Sequence, residues 1–406
     1  MTILHTSDWH LGQKFLFRDR EEEHRLALDW LLEVLQEERV DVLLVAGDIF
    51  DIGNPPNYAR RLYYDFLTRL HSTPCRHVVI TGGNHDSPTM LEAPRDLLLS
   101  LQIHVRGAIG AEPADDLIPL RNESGELEAV VAAVPFLRDR DLRSSVAGES
   151  GLERIERLRA GLRQYYQEVG QALADRYGEA GVPCIAMGHL YASGAKASGK
   201  QDNIYIGDTE NIKVGDFPAV FDYVALGHIH RQQAVGGVER VRYCGSLIPL
   251  SFSETKDDKE VLLIRFSGQK IQAVEHRLLP VFRRLKTITG TLPEVEERLR
   301  QFAARGKQPL TPWLEVLVEG DDLPVRLDQH LRNLTKDMPL ELLKIRLQRD
   351  RQALIDREAD IPDLEDLDVH QVFARRCAAA GLSEAQTEEM VRTFRELVSG
   401  YETEDT

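Results

Sequence analysis

Five short groups of Asp, Asn and His residues are the part of this sequence best suited to chemistry. Each group directly follows a run of apolar residues that is typical of a β-strand. The groups are Asp8-Trp9-His10, Gly47 to Asp51, Gly83 to Asp86, Gly188-His189 and Gly227 to His230. The runs before them are Ile3 to Thr6, Val42 to Ala46, Val78 to Thr81, Cys184 to Met187 and Tyr223 to Leu226. Because strand ends converge at one edge of a layered α/β protein, we expect the five groups to form one site.

The donor types in these groups indicate a hydrolytic site with two metal ions. They are imidazoles, carboxylates and one amide oxygen, without a thiolate, which excludes a Cys-type structural zinc site and favours Mn²⁺, with Mg²⁺ as the alternative. Two cations about 3.5–4 Å apart need a bridging anion, and only a carboxylate can bridge here. We predict that Asp48 is the bridge. The other predicted ligands are Asp8, His10 and His230 for one metal, and Asn84, His189 and His228 for the other.

Three further residues of the groups are predicted to be catalytic. His85 is adjacent to a ligand but spare, which suits it to donate a proton to a leaving alkoxide or to stabilise its charge. Asp86 or Asp51 is expected to orient an imidazole from behind. Taken singly, a Gly-His or Gly-Asn after a strand is usually a turn, since both Gly and Asn tolerate left-handed backbone angles. The ordered recurrence of five groups favours the metal site.

The order D-x-H, G-D-x-x-D, G-N-H-D, G-H and G-H-x-H resembles the calcineurin-like metallophosphoesterase superfamily. Four stretches resemble, more narrowly, the family of bacterial SbcD nuclease subunits of SbcCD complexes: His5 to Gly12, Pro55 to Arg60, Ile204 to Gly207 and Tyr243 to Phe252. The resemblance is strong over residues 1 to 275. It implies an α/β fold with a metallophosphoesterase β-sandwich flanked by helices, a small α/β capping domain and a C-terminal helical pair. It also implies a Mn²⁺-dependent DNA exonuclease and endonuclease that acts at double-strand ends and hairpins, in DNA repair, recombination and replication.

The layout divides the chain into a nuclease domain (1–278), a capping domain (279–349), a linker (350–366) and a helix–loop–helix (367–400). In the first domain, Leu152 to Tyr177 has helical spacing of its apolar residues. The second reads strand–helix–strand–helix–strand, with one helix beginning at the Thr291-x-x-Glu294 box and another at Pro324.

The C-terminal helices have apolar faces that two short helices cannot bury alone. Val369, Val372, Phe373, Cys377 and Ala380 line the first; Met390, Val391, Phe394, Leu397 and Val398 line the second. Sequence alone leaves folding back on the body and docking on another chain equally open. The resemblance favours docking at the coiled-coil base of an SbcC-like ATPase, and it implies a homodimer within a heterotetramer.

Composition agrees with an ordinary globular protein, with 42% hydrophobic residues and a net charge of -16. Residues 353 to 406 hold 14 Asp and Glu against five Arg, so this segment carries -9 and the rest of the chain only -7. The four isolated cysteines favour a reduced intracellular setting. The lack of a signal-like N-terminus and of any apolar run near 18 residues predicts no membrane span. We therefore expect a cytoplasmic, nucleoid-associated protein.

Seven residues near the metal groups are candidate DNA contacts. The basic ones are expected to hold phosphates and the aromatic ones to stack on a base; for each, a solvated surface position is the alternative. They are Lys14, Phe17, Arg18, Tyr58, Arg60, Arg138 and Arg140. The loop from Gly194 to Lys200 is similar to a P-loop, but Gln201 stands where Ser or Thr is needed, so ATP binding is assigned to the partner.

Two other functions compete with the nuclease. A metallophosphoesterase for a small phosphodiester or a phosphoprotein would cleave a model diester but not DNA, and the predicted capping unit and terminal helices argue against it. A catalytically weak scaffold that recruits its partner would not need seven ligands and a spare His85.

Overall fold

The computed structural model describes residues 1–142, 150–195, 212–304, 309–320, 326–348, 373, 377 and 390–394. The chain has two units: Met1–Val318 with Pro324–Arg346, and Glu319–Leu323 with Leu347–Thr406. Strands β1 to β17 span Thr2–Thr6, Lys14–Phe15, Arg18–Asp19, Val42–Ala46, His77–Thr81, Ile103–Arg106, Leu117–Arg121, Leu127–Ala133, Cys184–His189, Tyr223–Gly227, Gln233–Val235, Val238–Tyr243, Glu260–Ser267, Lys270–Leu278, Arg283–Thr291, Leu310–Glu319 and Glu341–Gln348. Helices α1 to α8 span Glu21–Glu37, Asn57–Arg69, Pro88–Glu92, Arg95–Leu99, Asp139–Leu142, Gly151–Tyr177, Leu292–Ala303 and Leu327–Thr335.

Two six-stranded sheets carry the five polar groups. The first has the order β14-β13-β1-β4-β5-β6, and the second has the order β11-β12-β10-β9-β8-β7. The neighbours β1, β4, β5 and β6 are parallel, and so are β8, β9, β10 and β12. The apolar runs predicted from the sequence are therefore strands β1, β4, β5, β9 and β10, and each ends at its polar group.

The facing sides of the two sheets form one apolar core. Ile3 and Leu43 of the first sheet share this core with Val131, Ile185 and Ala225 of the second. Alternate residues of the second sheet, such as Val130 and Ala186, point outwards into a second cluster beneath α6. The two sheets thus form a β-sandwich with helices on its outer faces, which confirms the predicted fold class.

Helix α6 covers the outer face of the second sheet. Leu162, Tyr166, Val169 and Leu173 are buried along one stripe of this helix, at the spacing of successive turns. Ser150 caps its first turn, because its Oγ accepts a hydrogen bond from the Glu153 amide at 3.3 Å. The helix predicted from Leu152 to Tyr177 is confirmed.

Beyond the sandwich, a three-stranded sheet has the order β15-β16-β17. Helices α7 and α8 alternate with its strands along the chain, as the sequence predicts. Val295 and Leu299 of α7 and Leu331 of α8 are fully buried. The domain boundaries at residues 278 and 349 stay predictions.

In the second unit, Phe373 and Phe394 stack with ring centroids 4.0 Å apart. The rest of the predicted terminal helices, the linker from 350 to 366, Ile204 to Gly207 and most of the P-loop-like segment lie outside the described residues. The cysteines at 75, 184, 244 and 377 are free thiols. Among the described residues, no helix combines the length and the apolarity that crossing a membrane requires.

Candidate metal centre

The loops after β1 and β4 are joined by backbone hydrogen bonds. The amide of Asp8 donates to the Gly47 carbonyl at 3.0 Å, and the amide of His10 donates to the Asp48 carbonyl at 3.0 Å. The next amide, Leu11, donates to Ile49 at 2.9 Å. The first two polar groups are therefore held side by side as one framework.

Four predicted ligands occupy left-handed backbone conformations. The φ angles are 51° at Asp8, 46° at His10, 49° at Asp48 and 101° at His228. Such angles cost about 1–3 kcal/mol each for a residue with a Cβ, and they persist only where the surroundings enforce them. The four strained residues therefore mark a site where the required direction of the side chains imposes an unfavourable backbone conformation.

Asp48 lies at the centre of the candidate site. Its Oδ2 is 3.4 Å from His10 Nε2 and 3.3 Å from His189 Nε2, so one carboxylate oxygen faces both halves of the ligand set. Its Oδ1 accepts a hydrogen bond from the His85 amide at 3.0 Å. Only 2% of Asp48 is exposed, although it is charged. This is the geometry that a bridging carboxylate needs.

The other predicted ligands divide around Asp48. Donor atoms of Asp8, His10 and His230 lie within 4.8 Å of one another. On the other side, Asn84 Oδ1 is 3.0 Å from His189 Nε2 and 3.1 Å from His228 Nδ1. The structure thus brings all seven predicted ligands together. Asp8 also groups with Asp48 and His189, which gives it a more central position than the sequence indicated.

Hydrogen bonds from behind fix the orientation of the ligands. Asp51 Oδ1 lies 3.1 Å from His10 Nδ1, and the Ala46 carbonyl lies 3.0 Å from His189 Nδ1. Ser7 Oγ donates to Asp8 Oδ2 at 2.6 Å. Each contact to an imidazole engages the nitrogen facing away from the centre, which leaves the opposite ring nitrogen for a metal.

The electrostatics of the centre reflect a surplus of carboxylates. Burial alone would lower the pKa of His10, but Asp51, Asp48 and Asp8 raise it to about 9. Burial would also lower the pKa of His189, but the charge and the hydrogen bond of Asp48 outweigh it and raise the pKa to about 9. Although burial would raise it, the surrounding histidines hold the pKa of Asp48 well below its usual range.

His228 differs from the other two histidines. Burial and the neighbouring His189 lower its pKa to about 3, which keeps this imidazole neutral, the form in which it can coordinate a metal. The centre therefore combines one imidazole with a lowered pKa, that of His228, and two with raised pKa values, those of His10 and His189. A divalent cation would bind the first directly and would replace the proton on the other two.

His85 and Asp86 occupy different positions in the centre. His85 is exposed at the rim; its Nδ1 lies 2.7 Å from the Asp51 carbonyl and its ring 4.9 Å from that of His10. Asp86 is buried and accepts hydrogen bonds from the amides of Gly83, Ile49 and Phe50, at 2.8, 3.1 and 2.9 Å. Burial and the charge of Asp48 raise the pKa of Asp86 to about 6. Asp51 thus contacts an imidazole, whereas Asp86 joins two loops.

The seven predicted DNA contacts have different surroundings. Arg138 contacts a residue of the third metal group, because its Nη2 donates to the Asp86 carbonyl at 3.1 Å. Phe17 is 94% exposed, and Arg140 is exposed beside Asp141. The remaining four lie in regular elements: Lys14 of β2 is near Asp19, and Arg18 of β3 is paired with Glu341. In α2, Arg60 is bonded to Asn57, and burial and Asp19 raise the pKa of Tyr58 to about 12.

Two residues behind His230 were not predicted from the sequence. Glu254 Oε1 lies 3.5 Å from His230 Nδ1, and Lys259 Nζ donates to Glu254 at 2.7 Å and to the His230 carbonyl at 2.8 Å. Although burial would raise it, Lys259 and His230 hold the pKa of Glu254 well below its usual range. A Glu and a Lys just beyond the Tyr243 to Phe252 stretch were the available signal.

Family models match most of the chain. Residues 1–232 match the calcineurin-like phosphoesterases, and residues 281–380 match the model described as the type 5 capsule protein repressor C-terminal domain. The fold and the clustered donors agree with the first match. The class of this protein is therefore that of the calcineurin-like phosphoesterases, which implies divalent metal ions.

Curated relatives narrow the class. The chain is 40% identical to the SbcD subunit of the SbcCD nuclease of Escherichia coli (strain K12) over 394 residues, or 97% of both chains. It is 37% identical to the corresponding nuclease subunit of Rhodobacter capsulatus over 87% of this chain and 89% of the relative. That of Bacillus subtilis is 29% identical over the full length of both. The chain belongs to the SbcD family of SbcCD nuclease subunits, as the resemblance predicted.

Proposed function

We propose that this chain is a Mn²⁺-dependent DNA nuclease. It would hydrolyse phosphodiester bonds at double-strand ends and hairpins, together with an SbcC-like coiled-coil ATPase, in DNA repair, recombination and replication. The observation that carries the proposal is the grouping of six other candidate ligands around Asp48, in a chain whose relatives are named as SbcCD nuclease subunits.

The donor set fits a pair of divalent cations. Within the part of the chain that the structure describes, His10 Nε2 is buried and has no hydrogen-bond partner, as a coordinating nitrogen would be. Asp8, His10, Asp48 and His230 would hold one ion, and Asp48, Asn84, His189 and His228 the other. Mixed imidazole and oxygen donors favour Mn²⁺ over Mg²⁺. When bound, the ions would lower the pKa of a water and offset charge on the phosphate.

His85 is proposed as the proton donor. Because Nδ1 donates its hydrogen to the Asp51 carbonyl, only the imidazolium form of His85 has a proton on Nε2, and that proton is the one it would transfer. The exposed position at the rim lets that atom reach the leaving oxygen of a bound phosphodiester. Asp51 would hold His10 and His85 in register, one through its carboxylate and one through its carbonyl. Asp86 would contribute by joining the loops that carry Asp48 and Asn84.

The rim supports contacts to a DNA backbone and a base. Arg138 next to the Asp86 carbonyl and the basic side chains of Lys14, Arg18, Arg60 and Arg140 would bind phosphates. Phe17, with almost its whole ring in solvent, would stack on a base, and Tyr58 would line the same edge.

A heterotetramer of two such chains and two ATPase subunits is proposed for the assembly. The match of residues 281–380 to a C-terminal family model and the stacked Phe373 and Phe394 support a terminal helical pair that docks on the ATPase. Leu97 and Leu101 are 69% and 54% exposed in and just after α4, which favours a homodimer surface there. We place this assembly in the cytoplasm, at the nucleoid.

The test is cleavage of end-labelled duplex and hairpin DNA with Mn²⁺, Mg²⁺ or EDTA, with and without the ATPase partner. Wild type should cut with Mn²⁺ and not with EDTA. His85→Ala should lower the rate about 10²–10⁴-fold, the usual contribution of a general acid, while Mn²⁺ binding by calorimetry stays unchanged.

His71→Ala is the matched control, because His71 is exposed and lies outside the five metal groups; it should cut like wild type. Cleavage of bis(p-nitrophenyl) phosphate but of no DNA, even with the partner, would overturn the nuclease proposal in favour of a small-diester phosphoesterase.

A further inference from the structure

A short hairpin follows the first metal motif and carries three of the proposed DNA contacts. Its arms are β2 and β3, and its tip is Leu16 and Phe17, with φ angles of 47° and 68°. Left-handed φ angles at two adjacent non-glycine residues are strained. Phe17 also gains little packing, because it is 94% exposed. Contacts elsewhere must therefore hold the hairpin in shape.

One anchor of the hairpin is Phe15. Its ring lies 5.0 Å from that of Phe252 in the sandwich domain and stacks 5.5 Å from that of Trp313 in β16. Leu285 of β15 belongs to the same buried cluster. The first arm of the hairpin is thus packed between the sandwich and the three-stranded sheet.

The second anchor is Arg20, directly after the other arm. It is fully buried and forms two hydrogen bonds with Glu23, at 2.9 and 2.6 Å. Its remaining Nη1 donates to Gln13 Oε1 at 2.9 Å and to the Pro249 carbonyl at 2.5 Å. The backbone N–H of Gln13 also donates to the His10 carbonyl at 3.0 Å, so this network reaches the first metal motif.

Arg283, the first residue of β15, contacts a partner of each anchor: Trp313, which stacks on Phe15, and Glu23, which binds Arg20. Its guanidinium stacks 4.0 Å above the ring of Trp313, and its Nε lies 3.4 Å from Glu23. Its Nη1 donates to the Thr311 carbonyl at 2.6 Å, which ties it to β16. The buried carboxylate of Glu23 therefore lies between Arg20, which follows the hairpin, and Arg283, which begins the three-stranded sheet.

We propose that Arg283 is a positioning residue for DNA, acting through Trp313 and Glu23 on the hairpin that presents Lys14, Phe17 and Arg18. This inference rests on the proposed nuclease function and on the hairpin as its DNA contact. Through Arg283, the three-stranded sheet then raises the affinity for DNA by holding the hairpin in place, without contacting the reacting atoms. A small diester, which does not extend to the hairpin, does not depend on Arg283.

The test compares Arg283→Met with Arg284→Met in the full-length chain. Adjacent strand residues face opposite sides, so Arg284→Met removes the same charge from the same strand but leaves the contacts of Arg283 to Trp313 and Glu23 in place. Arg283→Met should raise the KM for duplex DNA about tenfold and change kcat by less than about twofold. Turnover of bis(p-nitrophenyl) phosphate should stay within about twofold, and Arg284→Met should match wild type throughout.

A double-mutant comparison tests the route. In a chain already carrying Lys14→Ala, Phe17→Ala and Arg18→Ala, adding Arg283→Met should raise KM by less than about twofold, because the hairpin no longer contributes. A full effect in that background would overturn the proposal, as would an equal loss on DNA and on the small diester.

Hydrogen exchange at the amides of residues 14–19 gives a readout independent of DNA cleavage. Exchange should be about tenfold faster in Arg283→Met than in wild type. If wild type cuts no DNA, faster exchange still supports the positioning role while the nuclease proposal fails; unchanged exchange overturns the positioning role itself. Arg283→Lys, which keeps the charge but loses the planar stacking, is the second variant if Arg283→Met does not fold, and it should show the same effects at smaller size.

Discussion

At the scale of single residues, the metal centre depends on partners that face away from the metals. His230 is the clearest case, because it is held by the buried pair of Glu254 and Lys259. Lys259 offsets the charge of Glu254 and also bonds the His230 carbonyl, so the pair fixes both ends of the ligand residue. We infer that this pair sets the orientation of the His230 ring.

Replacing Glu254 should weaken metal binding without changing any predicted ligand. Glu254→Gln keeps the shape but removes the charge that orients His230, so the affinity for Mn²⁺ should fall about 10–100-fold, as measured by calorimetry. Asp258→Asn is the control, because Asp258 lies in the same segment but is exposed. Unchanged affinity in Glu254→Gln would show that Glu254 serves folding alone.

At the scale of elements, the strand ends come close enough that glycine is required beside the ligands. A Cβ on Gly227, at the end of β10, would lie 1.8 Å from the Ala46 carbonyl oxygen of β4. A Cβ on Gly83 would lie 2.1 Å from Asp48 Oδ1. The strands of the two sheets therefore approach each other directly at the centre, with no room for a side chain.

Gly227→Ala should separate the two sheets at the metal edge. The added Cβ meets backbone, which cannot rotate away, so we expect a loss of at least about 1–3 kcal/mol in the free energy of unfolding and loss of Mn²⁺ binding. Urea unfolding and calorimetry measure the two effects. Gly215→Ala is the matched control, since a Cβ there meets nothing within 4 Å. Normal metal binding in Gly227→Ala would contradict the close approach.

The elements that the sequence predicted are those with local signals. Strands β1, β4, β5, β9 and β10 are short, mainly apolar runs, and α7 begins with the Thr291-x-x-Glu294 box, so neighbouring residues suffice to identify them. The hairpin of β2 and β3 lacks such a local signal, because its tip of Leu16 and Phe17 contains no residue that favours a turn.

Long-range pairs account for what the sequence could not predict. Glu254 meets His230, and Arg283 meets Glu23, only after the sheets have formed. Nothing in the residue types of such pairs reveals their proximity. The metal ligands were predictable, in contrast, because each follows a strand and the ends of parallel strands share an edge.

At the scale of the whole molecule, the two sheets are joined through a buried histidine. His5 of β1 is fully buried, and its Nδ1 lies 3.0 Å from the hydroxyl of Tyr223 in β10 on the other sheet. Burial lowers the pKa of His5 from 6.5 to about 3. The sandwich is therefore most stable while this imidazole is neutral.

The stability of the sandwich should fall as the pH falls through the usual range of histidine. Because the folded pKa of His5 is depressed, its unfolded form takes up a proton below about pH 6.5 while the folded form does not until about pH 3. From pH 6.5 to pH 5, His5 alone should lower the free energy of unfolding by roughly 1.5–2 kcal/mol. Urea unfolding in EDTA at these two pH values measures this loss. His5→Gln should show a loss smaller by that amount, whereas Tyr223→Phe, which keeps the buried imidazole, should retain the wild-type pH dependence. An equal pH dependence in His5→Gln and wild type would rule out His5 as the acid-sensitive joint between the sheets.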